Sequence, residues 1–165
     1  MFPGLWIDAR DRSVNGVGNM FVTMESTFTL VDSRGPQLDE GALVRLLGEM
    51  FWFPTAFLDH RYVRWSAIDD HQAAATLQVN GRTVTAVFEF GPDDLPVTFS
   101  TDRSRDVGAG KTVLTPWVGR CSHFRAVDGV LVPHRVVAAW VVDGNPIEYV
   151  RFEVDHVEFN APRAD

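Results

Sequence analysis

The stretch Ala73-Ala74-Ala75-Thr76-Leu77-Gln78-Val79-Asn80-Gly81-Arg82-Thr83-Val84-Thr85-Ala86-Val87-Phe88 decides how this chain folds. Asn-Gly suits a two-residue type I′ turn, because both central residues need positive φ. With Asn80-Gly81 as that turn, Val79 opposes Arg82, Leu77 opposes Val84, Ala75 opposes Ala86 and Ala73 opposes Phe88. The apolar residues of both strands then share one face, and Thr76, Gln78, Thr83 and Thr85 share the other. A one-residue slip would destroy that match, so the register is specified.

Three more such pairs lie along the chain: Asn15-Gly16, Asp128-Gly129 and Asp143-Gly144. About Asn15-Gly16, Ile7 opposes Met24, Ala9 opposes Val22 and Asp8 opposes Thr23, again in phase. From Thr112 to Asn160 the pattern predicts three long strands turning at the two Asp-Gly pairs. Alternation fades between Val130 and Val142, which are apolar on both faces; cover on both sides, or a bulge, would account for that. Gly91-Pro92-Asp93-Asp94 predicts a turn, Val97–Thr101 a strand, and the polar run Arg103 to Gly110 a mobile loop.

One helix is predicted. Leu38, Ala42, Leu43, Leu46, Leu47, Met50 and Phe51 recur at three- and four-residue spacing, with Glu40, Arg45 and Glu49 off the stripe. Asp39 and Glu40 suit its N-terminus through the helix dipole, and Pro54 ends it or opens a short turn through Phe57-Leu58. Long antiparallel strands twist and curl. The expected fold is therefore mostly β (α+β): a curved antiparallel half-barrel of about seven to nine strands, with the helix on its concave face. The 165 residues fit one domain, and no repeat, linker or low-complexity tract divides them.

Composition narrows function more than it identifies it. Net charge is −7, from 15 basic and 22 acidic residues, and Lys111 is the only lysine. No basic cluster offers a nucleic-acid footprint, so nucleic acid is not an expected partner. No stretch reaches the roughly 18 apolar residues of a membrane span. Cys121 is the only cysteine, which rules out an intrachain disulfide and a thiolate-rich zinc site. The start Met1–Trp6 lacks the pattern of a signal peptide, which with the single cysteine favours a cytoplasmic location. Twelve Phe and five Trp against two Tyr supply large apolar area, suited to a thick core or an apolar cavity.

Candidate chemistry is sparse. His123 and His134 face each other across Asp128-Gly129, either as metal ligands or proton carriers, or as two solvated surface histidines. A third ligand is not placed by spacing; His156 and Glu153 are only near in sequence. Asp59-His60 and Asp69-Asp70-His71 bring carboxylates beside imidazoles, but the latter lies between two strands, where Asp is a turn former. Gly110-Lys111-Thr112 matches only the tail of a phosphate loop; Arg105 stands where its first glycine belongs, and a strand follows. No nucleophile elbow, HExxH motif or cofactor signature is present, so neither metal nor cofactor is expected. Glu25 and Arg120 are charges within strands, each solvent-facing or a polar anchor for a ligand. Trp52-Phe53-Pro54, Trp65 and Trp117 plug the core or rim an apolar pocket.

Three segments together resemble a family of uncharacterised bacterial domains common in actinobacteria. They are Trp52-Phe53-Pro54-Thr55-Ala56; Ile68-Asp69-Asp70 followed by Ala73, Ala75 and Leu77; and Pro116-Trp117-Val118-Gly119-Arg120 running into Phe124–Pro133. The resemblance spans about residues 10 to 160. It implies a curved sheet over helices with an apolar interior, and it carries no activity to transfer. It also implies a further N-terminal segment ahead of Met1, making this a shortened member whose edges would favour a homodimer. The closing pattern, an aromatic-Arg pair, an Asp-Gly turn, a proline and a last strand ending in Asn, looks more loosely like the outer-membrane lipoprotein carrier architecture.

The first functional expectation is binding of a lipid or other hydrophobic small molecule on the concave face. The site residues would be Trp52, Phe53, Trp65, Asp69, Asp70, Trp117 and Arg120. The alternatives are a metal-independent isomerase or cyclase acting on an apolar substrate through Asp69, Asp70, Glu25 or Arg120, and a structural or interaction domain with a filled core.

Overall fold

The computed structural model describes the backbone at residues 7–14, 17–24, 28–33 and 35–160, and side chains at 17, 18 and 35–160. In chain order the strands are β1 (Ile7–Val14), β2 (Val17–Met24), β3 (Phe28–Ser33), β4 (Val63–Ala67), β5 (Gln72–Val79), β6 (Arg82–Phe90), β7 (Pro96–Gly108), β8 (Lys111–Val127), β9 (Val130–Val142) and β10 (Asn145–Glu153). The helix α1 (Pro36–Glu49) lies between β3 and β4 and runs on into single 3₁₀ turns at Met50–Trp52 and Pro54–Leu58. β4 to β10 form one curved, open, antiparallel sheet in sequence order, and β1-β2-β3 form a second small sheet. No helix among the described residues is long and apolar enough to cross a membrane.

The hairpin reading holds residue by residue. Val79 pairs Arg82, Leu77 pairs Val84, Ala75 pairs Ala86 and Ala73 pairs Phe88. Asn80-Gly81, Asp128-Gly129 and Asp143-Gly144 all have positive φ at both positions, the type I′ signature. Ile7 pairs Met24, Ala9 pairs Val22 and Asp8 pairs Thr23, although Asn15-Gly16 itself lies outside the described residues. β9 is buried on both faces from Val132 to Ala139 except at the half-buried Arg135, which explains its lost alternation.

Two expectations need correction. The run from Arg103 is no loop: β7 continues to Gly108 and turns through Ala109-Gly110 into β8. Polarity misled there because this end of the strand is only half covered, so Asp102 and Asp106 face water while Arg103 and Arg105 are partly buried. The helix is also buried more widely than its apolar stripe implies. Gly41, Val44 and Gly48 are buried although they lie off the stripe. The reason is a second partner: α1 packs against β6 and β7 on one side and against β1 and β2 on the other.

Asp39 fastens that second contact. It is buried, accepts the Gly18 N–H at 2.7 Å and pairs with Arg82 at 2.6 Å. One carboxylate thus ties β2, α1 and the start of β6 together, more than the dipole role read from sequence. Gly18 is needed for the close approach, since a Cβ there would stand 2.9 Å from the Leu38 carbonyl oxygen.

Under α1 lies an aromatic core. Phe88, Phe99, Phe51 and Phe57 pack with ring centroids 5.3–6.2 Å apart, around Leu43, Leu47, Leu77 and Val63, each no more than 1 % exposed. Offset and edge-to-face rings at these separations add to the burial of their area.

Candidate functional site

α1 covers the middle of the sheet and leaves β8, β9 and β10 partly bare. Between them is a cleft of about 700 Å³. One wall is α1 at Gln37, Leu38, Gly41, Arg45, Gly48 and Glu49, continued by Trp52. The floor is β7 to β10, chiefly Phe99, Arg103, Trp117, Ala138, Trp140, Tyr149 and Phe152. The size falls within the range of small-molecule sites, roughly 300–1,000 Å³.

Register builds the floor. The Asp128-Gly129 turn sets Trp117 opposite Trp140, with centroids 6.4 Å apart. Phe99 packs edge-on to Trp117 at 5.0 Å, and Trp140 stacks on Tyr149 at 5.8 Å. Trp117 Nε1 donates to Tyr149 Oη at 3.0 Å, so the indole donor is satisfied without filling the cleft. A bulge between Glu148 and Val150 lets both Tyr149 and Val150 face the cleft. At the far end Trp52 meets Phe152 edge-to-face at 5.6 Å and donates to the Pro133 carbonyl at 3.0 Å.

Two glycines shape the helical wall. A Cβ on Gly48 would stand 2.4 Å from Phe99, and one on Gly41 would stand 3.3 Å from Arg103 Nε. Their absence lets Phe99 and Arg103 lie against α1. Arg103 then spreads its guanidinium over Trp117 at 4.9 Å and Trp140 at 5.8 Å. Arg45 pairs with Glu49 at 3.1 Å on the next turn of the same wall.

A second, smaller cleft of about 580 Å³ opens on the other side of the 3₁₀ turns, lined by Phe57, Leu58, Trp65, Phe90, Leu131 and neighbours. Trp65 is in its wall, with Nε1 bonded to the Phe57 carbonyl at 3.1 Å.

The residues singled out from sequence therefore separate. Trp52 and Trp117 line the larger cleft and Trp65 the smaller. Phe53, Asp69, Asp70 and Arg120 line neither. Asp69 and Asp70 are exposed in the β4–β5 turn, where Asp69 accepts the His71 N–H at 2.8 Å. Arg120 is half exposed, 3.9 Å from Glu148 on the sheet surface. Glu25 lies outside the described residues.

The histidines also diverge. The pairs Ser122–Arg135 and Phe124–Pro133 bracket His123 and His134, but His123 has φ of 56° and is exposed, while His134 is buried. His134 Nδ1 lies 2.6 Å from the Val154 carbonyl oxygen, which can only accept, so Nδ1 carries the proton. Among the described residues no three His, Cys, Asp or Glu side chains gather as a metal site. Asp59 is held by Arg61 at 2.7 and 2.9 Å, and that hydrogen bonding lowers its pKa to about 2. Cys121 is buried in the core, and burial pushes its thiol pKa well up, away from reactivity.

Missed from sequence were Arg103, Trp140, Tyr149 and Phe152. Trp140 was within reach: extending the Asp128-Gly129 register ten pairs places it against Trp117. Arg103 was hidden by the polarity of its neighbours, and Tyr149 by the bulge.

Fold and cleft together define an open antiparallel half-sheet protein with an aromatic-floored groove beside one helix. The chain belongs to the family of unknown function DUF6920, whose family model matches residues 1–159. No curated protein and no solved structure matches it.

Proposed function

We propose that this chain, acting as one domain, binds a lipid or other hydrophobic small molecule in the cleft between α1 and β7–β10. The observation that carries the reading is the unfilled groove of about 700 Å³ walled by Trp52, Phe99, Trp117, Trp140 and Phe152. Apolar surface left in a concave site is stabilised when a ligand removes it from water, at roughly 25 cal/mol per Å². The indole donors of Trp52 and Trp117 are already bonded to the protein, so an apolar guest strands neither. Among the described residues the carboxylates lining this groove are Glu49 and Asp106, and no histidine lines it.

Native mass spectrometry of the purified chain, with titration by dodecan-1-ol followed through tryptophan fluorescence, tests this. A saturable change is expected, and Val150→Trp, which fills the groove, weakens it. No bound mass and no saturable change would refute the reading.

Association of two copies through a sheet edge is a separate proposal. Among the described residues the edge strands of the large sheet are β4, five residues long, and β10, which carries Pro146 and the bulge at Tyr149. Light scattering at increasing concentration decides it: a doubled mass supports the dimer, and one-chain mass throughout refutes it.

A further inference from the structure

Resting on the cleft and the edge association proposed above, we infer that two copies pair through β10 about a two-fold axis between Tyr149 and Val150, so that each copy completes the other's groove. α1 walls one side of the cleft, but on the far side the floor runs out at β10, an end strand of the sheet. Ile147 pairs with Trp140, Val150 with Ala138 and Phe152 with Val136, and cross-strand partners share a face. Trp140, Ala138 and Val136 line the cleft, so this row of β10 faces it too. Ile147, Tyr149 and Phe152 are nonetheless 47–53 % exposed. Among the described residues nothing continues the sheet beyond them.

The row is complementary to itself, which is what a two-fold interface requires. In antiparallel pairing about that axis, Ile147 stands opposite the partner's Phe152 on the groove face, and Glu148 stands opposite the partner's Arg151 on the outer face. Residues three apart in a regular strand point to opposite faces. The bulge between Glu148 and Val150 cancels that, so Glu148 and Arg151 pair with Ala139 and Val137 and share the outer face. Within one chain these two charges meet at 3.2 Å and stay about half exposed. Two such pairs set head to tail across the axis alternate in sign. A bulge and a proline usually protect an edge. Here the two bulges meet on the axis, and Pro146 falls at the end of the ladder, opposite the partner's Glu153. The joined floors make one trough across the axis. The half-exposed side chains bring on the order of 300 Å² per copy, against about 800 Å² per partner in a standard interface. Protein contacts alone thus give a weak pair, and an apolar guest lying across both floors strengthens it.

Sedimentation equilibrium over a range of concentrations, with and without dodecan-1-ol, tests this. The wild-type chain should reach twice the one-chain mass. Saturating dodecan-1-ol should tighten the association about tenfold, because a guest that binds the pair better favours it. Glu148→Arg, or Arg151→Glu, sets like charges opposite each other twice and should weaken association about tenfold. Mixing the two variants, or making both changes in one chain, sets opposite charges together again and should restore it. One-chain mass at every concentration overturns this assignment and the edge association together. A dimer indifferent to the charge changes joins by another edge and overturns this assignment alone. A dimer that follows the charge pattern but ignores bound dodecan-1-ol overturns the shared groove. If the alcohol does not bind at all, the cleft reading falls with it.

Discussion

Gly119→Ala gives the sharpest test of how the core beneath the groove is built. Gly119 pairs directly with Phe99 across β7 and β8. A Cβ on residue 119 would stand 2.0 Å from Phe99 Cε1 and 2.7 Å from Cδ1 and Cζ. Carbon atoms in contact sit about 3.5–4.0 Å apart, so the ring must retreat by roughly 1.5 Å. Its relief is confined to the groove side. The ring tip already lies against Gly48, where a Cβ would be 2.4 Å from Cζ, and Phe51, Phe88 and Trp117 close the other sides at 5.0–5.8 Å. Without the clash, alanine would be favoured over glycine in a strand by about 0.5–1 kcal/mol. Overpacking of a filled core costs about 1–3 kcal/mol, and with relief only toward the groove the upper part of that range applies. The expected net loss is about 2 kcal/mol, or some 4–8 °C in Tm for a chain of this size. Urea and thermal denaturation followed by circular dichroism measure it. Phe99→Leu makes room, so the double variant should lose at least about 1 kcal/mol less than the sum of the singles. A Gly119→Ala chain as stable as the parent, or strict additivity in the double variant, would refute the clamped-ring argument.

Three further outcomes follow from other contacts. Asp39→Ala leaves the Gly18 N–H and the half-exposed Arg82 without their carboxylate and should cost about 2–3 kcal/mol; if Arg82→Ala in that background costs as much as in the parent, the two are not coupled. Asp59 has its folded pKa depressed to about 2, first through its hydrogen bond to Arg61. Its contribution is therefore present above the ordinary aspartate pKa and is lost as pH falls through about 2. Carboxyl NMR should find that low midpoint and see it rise in Arg61→Gln, and an ordinary midpoint in the parent would contradict the pairing. Cys121 should react with a thiol reagent only after unfolding; fast labelling of the folded chain would show that the core opens there.

The sequence speaks clearly where local chemistry and global register agree. Asn80-Gly81 and its alternating flanks determine each other, and so do Asp128-Gly129 and Asp143-Gly144 once β9 is recognised as covered on both faces. It is silent where a residue's environment is made by distant chain. Arg103 reads as loop because Asp102, Ser104, Arg105 and Asp106 surround it; its aromatic platform is Trp117 and Trp140, brought up by two further strands. Gly41 and Gly48 look like weak points in a helix, and only the approach of Arg103 and Phe99 explains them. Trp52 and Trp117 were legible only as large aromatics that either plug the core or rim a pocket, and Asp69 and Arg120 carry no local mark that separates a ligand anchor from a surface charge.

The existence of the groove follows from simple dimensions. Seven strands at about 4.8 Å spacing make a sheet roughly 30 Å across, while a helix with its side chains is only about 10–12 Å wide. One helix can therefore cover two or three strands. Here α1 sits over β6 and β7, near the middle of the β4–β10 order, which leaves uncovered concave surface on both sides. The 3₁₀ turns and Trp65 narrow one side to the smaller cleft, and among the described residues nothing comparable crosses β8–β10 on the other. Of the small sheet, β1 and β2 pack on α1 itself. Small residues at Gly41, Gly48 and Ala138 line that uncovered surface beside the indole rings of Trp117 and Trp140.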